Sequence, residues 1–398
     1  MFDTVISSNK SVDHWLRPRY ESDSIVNLMS SISAGFGVVN GAYPQLSLLP
    51  SRQVAQARNV VMWVIDGLGY NYLQQRQTNS KLARHLVGAL TSVFPSTTAT
   101  AITSFVTGVA PAQHGITGWY TFLPNADQVC AVLPFCVRGS GTPIDAVTAT
   151  RVLWAPPLFE RYAAKGVVVM PQNIVDSPYT LLTTGAVKRV AFQNLRGCVQ
   201  SVVDEVIGGE YRTFVYAYWP LLDTLSHQFG VASTQVDRHF QELDAAFAYL
   251  LEALLGTDTL LLVTADHGLI DTSSEHQLVL NDHPELMAML RHPLSGEPRA
   301  TYCHVKPGTH AAFKRYIETH LAESVALFES RILVEQGYFG NAVGDAEFLN
   351  RIGDYVLIMR GNWVIKDYLP TERAFTQVGV HGGLTEDELL VPLIKMRL

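Results

Sequence analysis

The stretch Asn59-Val-Val-Met-Trp-Val-Ile-Asp66-Gly67 decides how this chain is read: an apolar run of strand length ends in a carboxylate and then in glycine. A short apolar run closed by a turn residue reads as a buried strand, and glycine suits the tight turn that follows it. Further along, Thr259-Leu-Leu-Leu-Val-Thr-Ala-Asp266-His267-Gly268 repeats the design with a carboxylate and an imidazole side by side. In open α/β sheets ligands bind beyond the carboxyl ends of the strands, so both motifs fall where chemistry is done.

Outward from these two, residues 167–170 and 213–218 are β-branched or aromatic runs of strand length. Between residues 218 and 260, Val236, Phe240, Leu243, Phe247, Leu250 and Leu254 recur in steps of three and four, with Ser233 or Thr234 to cap the start and Gly256 the end. That stripe reads as a core-facing amphipathic helix. Strands alternating with helices predict an α/β fold with a central, mostly parallel sheet covered on both faces. Residues 275–375 lack this regularity. They hold a polar stretch (275–284), a Pro- and Gly-rich segment (292–298), a strand signal (299–305) and helix signals between 309 and 328. We read them as an insertion or lid within a single catalytic domain spanning 1–398.

With 398 residues, 47% hydrophobic and 16% charged, the chain can bury a large core. A formal charge of -7 argues against a nucleic-acid duplex as partner, because binding phosphate backbones needs a basic footprint. Residues 1–20 contain Asp3, Lys10, Asp13 and Arg17 and no apolar stretch fit for a signal peptide, and no segment approaches the length of a membrane span. Cys130, Cys136, Cys198 and Cys303 have no metal-site spacing and are too few for a disulfide framework, although Cys130 and Cys136 are close enough to pair in an oxidising compartment. The expectation is a reduced, cytoplasmic protein without a membrane partner; oligomeric state has no signal in the sequence.

Taken singly, the polar motifs have bland readings. Asp66-Gly67 is a common turn, Asp223-Thr-Leu-Ser-His227 is compatible with a helix-surface pair, and His381-Gly382-Gly383 is a lone histidine on a flexible backbone. Their conjunction is sharper. Side chains four apart share one helix face, so Asp223 and His227 can converge on one ion. Adjacent ligands such as Asp266 and His267 after an apolar run are costly to bury without a cation. Three carboxylates and three imidazoles match the N/O donors of zinc and, less specifically, manganese. A hydrolytic site also needs a nucleophile. In Phe94-Pro-Ser-Thr-Thr98-Ala-Thr-Ala-Ile-Thr-Ser-Phe-Val-Thr-Gly108, Pro95 and Ser96 mark the entry to a helix that ends near Gly108, with Thr97 or Thr98 in its first turn. A helix N-terminus favours both a phosphoryl group and a developing alkoxide, whereas the plain alternative is that these hydroxyls cap the helix.

The segment from Phe94 to Gly118, with Thr98, Thr107-Gly108 and His114-Gly115-Ile116, resembles the nucleophile region of the type I phosphodiesterase/nucleotide pyrophosphatase family of the alkaline phosphatase superfamily. The other motifs follow in the family's order, so the resemblance covers roughly residues 58 to 395. It implies an alkaline-phosphatase-like three-layer sandwich. It also implies that Asp66, Thr98, Asp266 and His267 hold one zinc ion and that Asp223, His227 and His381 hold a second. Thr98 then becomes the nucleophile, forming a phosphothreonine that is hydrolysed with net retention. The implied reaction is cleavage of phosphodiester or phosphoanhydride bonds in a small-molecule phosphate ester. A phosphomonoesterase of the same superfamily and a catalytically silent metal-binding protein remain as alternatives. A phosphoglycerate-mutase-like enzyme is disfavoured because its kind resemble each other in a serine nucleophile, and a sulfatase because Cys/Ser-x-Pro-x-Arg is absent around Thr98. One departure bears on substrate. Where the family has a phosphoryl-binding asparagine this chain has Trp119, followed by Tyr120, which suggests an apolar or stacking wall; Asn173 is a candidate substitute donor.

Overall fold

The structure, a computed structural model, describes residues 15–38, 41–76, 78–341 and 346–398. Residues 1–14, on which most of the reading of the N-terminus rests, and residues 39–40 of the lead-in lie outside the described residues. A seven-stranded sheet runs in the order Leu86–Thr91, Leu390–Arg397, Thr259–Thr264, Asn59–Ile65, Thr213–Trp219, Lys165–Pro171, Lys188–Phe192. Leu390–Arg397 runs opposite to the other six strands. Every residue of the strands Asn59–Ile65, Thr213–Trp219 and Thr259–Thr264 is buried, as strands covered on both faces must be. The helix Leu195–Ile207 packs on the strands Lys165–Pro171, Lys188–Phe192 and Thr213–Trp219, with the helix Thr234–Ala253 beside it. Ser233 caps that second helix through Val236 N, as the sequence predicts, whereas the helix ends at Ala253, before Gly256.

Residues 275–375 do not form a free-standing lid. Four strands from this region, Ser295–Glu297, Ala300–Cys303, Val325–Glu329 and Tyr355–Met359, join Tyr120–Leu123, Gln128–Ala131 and Cys136–Val137 in a second, antiparallel seven-stranded sheet. The two stretches meet at Gly296 opposite Tyr120. A β-carbon at Gly118 would lie 2.7 Å from Gly296 Cα, so glycine is what lets the backbones approach there. The helix signal near residue 309 is realised as His310–His320, but residues 325–329 form a strand. All four cysteines are free thiols, Cys130 and Cys136 included. No helix among the described residues is long and apolar enough to cross a membrane.

Candidate active site

Three neighbouring parallel strands, Thr259–Thr264, Asn59–Ile65 and Thr213–Trp219, end on the same edge of the sheet, and each delivers ligands there. Asp66 follows the central strand, Asp266 and His267 follow one neighbour, and the helix Leu221–Phe229 after the other carries Asp223 and His227 one turn apart. The antiparallel strand Leu390–Arg397 begins where its neighbour Thr259–Thr264 ends, which brings the preceding His381 to the same place. A buried ion pair fixes that loop. Arg299 Nε and Nη2 donate to the two oxygens of Glu388 at 3.0 and 2.9 Å, and Glu388 Oε1 accepts from Gly383 N at 2.8 Å. Gly67, at φ 76°, makes the turn after Asp66; a β-carbon there would lie 2.7 Å from Leu269 Cδ1.

Thr98 opens the helix Thr98–Thr107, which Gly108 ends in the left-handed conformation. Four threonines make a poor helix in isolation, but inside the core Thr103 and Thr107 donate to the carbonyls of Ala99 and Thr103, both at 2.6 Å. Nothing caps the helix start with a side chain. Ser96 Oγ donates to Gly383 O at 2.8 Å and Thr97 Oγ1 to Glu297 Oε1 at 2.7 Å, so the capping role open to both hydroxyls is not taken. His114 is buried among Ser104 and the Ile116 amide, and burial lowers its pKa to about 3.

The six acidic and imidazole residues form two groups, Asp66 with Asp266 and His267, and Asp223 with His227 and His381, each with donor atoms within 4.8 Å of one another. Thr98 Oγ1 lies 3.2 Å from His267 Nε2. The His267 and His381 rings stack at 3.8 Å between centroids and so join the groups. Each imidazole turns Nδ1 to a backbone carbonyl: His267 to Gly268 at 3.1 Å, His227 to Gly379 at 2.7 Å and His381 to Ser96 at 3.2 Å. A carbonyl only accepts, so the proton sits on Nδ1 and each Nε2 keeps its lone pair. Opposite those nitrogens, Asp66 Oδ1, Asp223 Oδ1 and Asp266 Oδ2 are buried and accept no hydrogen bond among the described residues. They stand 3.3 Å from His267 Nε2, 3.8 Å from His381 Nε2 and 3.6 Å from His267 Nε2 respectively. Of the remaining oxygens, Asp66 Oδ2 accepts from Tyr218 and Asp266 Oδ1 from the Gly67 and His267 amides at 3.1 and 3.0 Å, while Asp223 Oδ2 faces His227 Nε2 at 3.2 Å. Burial, with the charges of Asp266 and Asp223, pushes the Asp66 carboxyl well above its ordinary value; burial also raises Asp223 and, with the neighbouring imidazoles, holds His381 well below its own. Lone pair facing lone pair in a dry site is the arrangement a cation satisfies.

A cavity of about 530 Å³ opens beside Thr98, Asp223, His227 and His381. Trp119, 39% exposed, and Tyr120 form part of its wall, so neither is a covered core residue. Asn173 is not brought to the site. It is exposed on the turn after Lys165–Pro171, a strand separated from Asn59–Ile65 by Thr213–Trp219, and it does not line the cavity. A separate cavity of about 540 Å³, at Phe122, His292 and His304, contains none of the candidate ligands.

The model of type I phosphodiesterase/nucleotide pyrophosphatase matches residues 60–384. The chain belongs to this family. It is therefore a hydrolase of the phosphodiesterase/pyrophosphatase type. A search of curated protein sequences finds no match. Among solved structures, murine ectonucleotide pyrophosphatase/phosphodiesterase 5 is similar over 84% of this chain and 87% of its own, with 16% identity and a TM-score of 0.64. An inactive form of the same protein in complex with AMP gives 17% identity, the same coverage and a TM-score of 0.64. Phosphonoacetate hydrolase from Sinorhizobium meliloti 1021, in complex with phosphonoacetate, is similar over 86% of this chain and 91% of its own, with 16% identity and a TM-score of 0.62. At these identities the likeness is one of fold, the α/β sandwich of alkaline-phosphatase-like enzymes.

Glu297 joins the turn before Thr98 to the cavity wall and carries no motif of its own. Its Oε1 accepts from Thr97 Oγ1 at 2.7 Å and from the Trp119 amide at 2.6 Å. Burial raises its pKa to about 7, against the lowering effect of those two bonds. We expect Glu297→Ala to lower kcat on a phosphodiester roughly 10- to 100-fold, the cost of letting the adjacent Thr98 drift. Glu297→Gln, which keeps the accepting oxygen, should recover most of that loss. Steady-state kinetics with a melting curve for each variant check this; equal losses in both would assign the effect to the charge instead.

Proposed function

We propose that this protein hydrolyses phosphodiester or phosphoanhydride bonds in small molecules through a phosphothreonine on Thr98. Asp66, Thr98, Asp266 and His267 would hold one divalent ion and Asp223, His227 and His381 another, zinc by the donor set, with manganese as the alternative. The observation that carries this reading is that three aspartate oxygens with no hydrogen-bond partner among the described residues face the Nε2 atoms of His267 and His381, whose Nδ1 atoms are turned to carbonyls. When bound, two dications supply Lewis-acid chemistry, making a threonine hydroxyl acidic enough to react and offsetting charge on the leaving oxygen.

The protein's own groups perform the rest. The start of the helix Thr98–Thr107, unclaimed by a side-chain cap, presents amide donors and a positive dipole end to the phosphoryl oxygens. Thr98 Oγ1 forms its bond to phosphorus as the bond to the leaving oxygen breaks. Water then cleaves the Oγ1–P bond and restores the hydroxyl, so two inversions give net retention. Trp119 and Tyr120 offer the leaving group an aromatic wall in place of an asparagine.

With divalent ions present, kcat/KM on bis-(p-nitrophenyl) phosphate should exceed that on p-nitrophenyl phosphate at least 10-fold. Matched assays of the two esters at defined zinc and manganese concentrations decide this. A preference for the monoester would turn the assignment to a phosphomonoesterase, and loaded protein inert to both would sink hydrolysis of simple esters altogether.

A further inference from the structure

Lys366 lies in the strand Val364–Lys366 and is 7% exposed, yet it lines the cavity that also holds Thr98, Asp223 and His227. A buried ammonium normally has a carboxylate beside it. Lys366 has none within ion-pair distance among the described residues. Its Nζ donates to Phe375 O and to Gln377 Oε1, both at 3.3 Å, and sits 4.0 Å from the centre of the Phe375 ring. These are three neutral partners, two of them at the long end of hydrogen bonding. The nearby acids are already taken by Arg138. Its Nε and Nη2 grip the two oxygens of Glu372, both at 2.9 Å, and Nη2 is 2.8 Å from Asp367 Oδ1, while Asp367 Oδ2 accepts from Leu294 N at 2.9 Å. Lys366 thus carries a charge with no counter-charge, facing a space large enough for a small molecule. Gln377 lies between Lys366 and His227: its Oε1 accepts from Lys366, and its amide nitrogen is 3.1 Å from His227 Nδ1, a van der Waals contact of two donors. Burial alone lowers the Lys366 pKa to about 8, and an incoming anion would reverse that shift.

We infer that Lys366 receives a second anionic group of the substrate, a carboxylate or a phosphate, carried beyond the scissile bond on the side of His227. This rests on the hydrolytic reading above and deepens it: the preferred substrate has a charged leaving group, which a bis-aryl diester lacks. The aromatic ring of Phe375 and the Gln377 amide hold the ammonium in place until the anion arrives. Lys366 is then a specificity determinant in a site whose chemistry belongs to other residues.

The experiment compares Lys366→Met and Lys366→Arg with wild type on three probes. ATP, cleaved to AMP and pyrophosphate, carries a phosphate leaving group; bis-(4-carboxyphenyl) phosphate carries a carboxylate on its leaving group; bis-(p-nitrophenyl) phosphate carries neither. A lost hydrogen bond to a charged group predicts that Lys366→Met lowers the kcat/KM ratio of the favoured anionic probe to the diester by roughly 10- to 100-fold. The probe whose ratio falls identifies the anion, and Lys366→Arg should restore a large part of it. Calorimetric titration of pyrophosphate and phosphonoacetate into Thr98→Ala, with and without Lys366→Met, reads the same subsite without turnover. If no ester is hydrolysed but Lys366→Met weakens anion binding, the hydrolytic reading falls and the subsite stands. If turnover is present and the ratio and the anion affinity are both unmoved, or if all three probes fall equally with no rescue by arginine, the subsite is wrong.

Discussion

Thr98→Ala, folded and loaded with divalent ions, is expected to lose on the order of 10⁴-fold or more in kcat on any phosphodiester the wild type accepts. The size follows from the role: removing a nucleophile abolishes the route and leaves only what binding and electrostatics can do for direct attack by water. Geometry makes the role specific to this hydroxyl. Ser96 and Thr97, the two hydroxyls before it, are committed to Gly383 O and Glu297, whereas Thr98 Oγ1 faces His267 Nε2 and the cavity. Thr98→Ser, which keeps the hydroxyl, should retain measurable turnover. Acid quenching during turnover should trap phosphate on the peptide containing Thr98, and mass spectrometry reads it directly. Near-wild-type rates in Thr98→Ala would mean that water attacks phosphorus itself and that the covalent step is wrong.

Five of the six candidate ligands can be read in the sequence because they obey a local rule, whereas His381, a lone imidazole before two glycines, enters only through the resemblance to the family. Apolar runs of strand length that end in Asp66 and in Asp266-His267 announce both strand and site, and the four-residue spacing of Asp223 and His227 announces a shared helix face. What escapes is whatever depends on contacts far along the chain. Glu297 matters because it reaches Thr97, 200 residues away in sequence, and Tyr218 because it reaches Asp66, 152 away. Lys366 is conspicuous only once the carboxylates around it are seen to be spent on Arg138. The second sheet escapes for the same reason: strands of two to five residues have no periodicity to detect, and its two stretches are joined only where Tyr120 pairs with Gly296, far along the chain. Residues 325–329, Val-Ala-Leu-Phe-Glu, fit a helical or an extended period equally well, and pairing with Tyr355–Met359 decides for the strand. Asn173 shows the limit from the other side. It follows a strand, as a site residue should, but strand order is not written locally and this strand is the wrong one.

Stripping the ions with a chelator should abolish hydrolysis and lower the melting midpoint by on the order of 10 °C, with both restored by zinc or manganese. Without ions, three buried aspartates crowd one edge of the sheet, each with an oxygen that has no donor among the described residues. Burial raises the Asp66 and Asp223 pKa values in the folded protein. A carboxyl whose folded pKa is raised adds stability only while it is protonated, so its contribution is lost as pH climbs from the ordinary carboxylate range through the raised value. His381 is displaced the other way, its folded pKa held well below the usual imidazole value, so its contribution is present above that value and lost as pH falls. Ion binding requires ionised aspartates and neutral imidazoles, which makes loading release protons. Both shifts therefore give the metal-linked part of stability the same sign. The gap in melting midpoint between loaded and chelated protein should widen as pH rises from about 4 to 7, and Asp66→Asn should shrink it because an amide oxygen is a weaker, uncharged ligand. Differential scanning calorimetry at several pH values, with and without chelator, measures this gap. A gap that stayed flat across that range, or narrowed, would show that the buried aspartates keep their protons when the ions are present and so do not hold them.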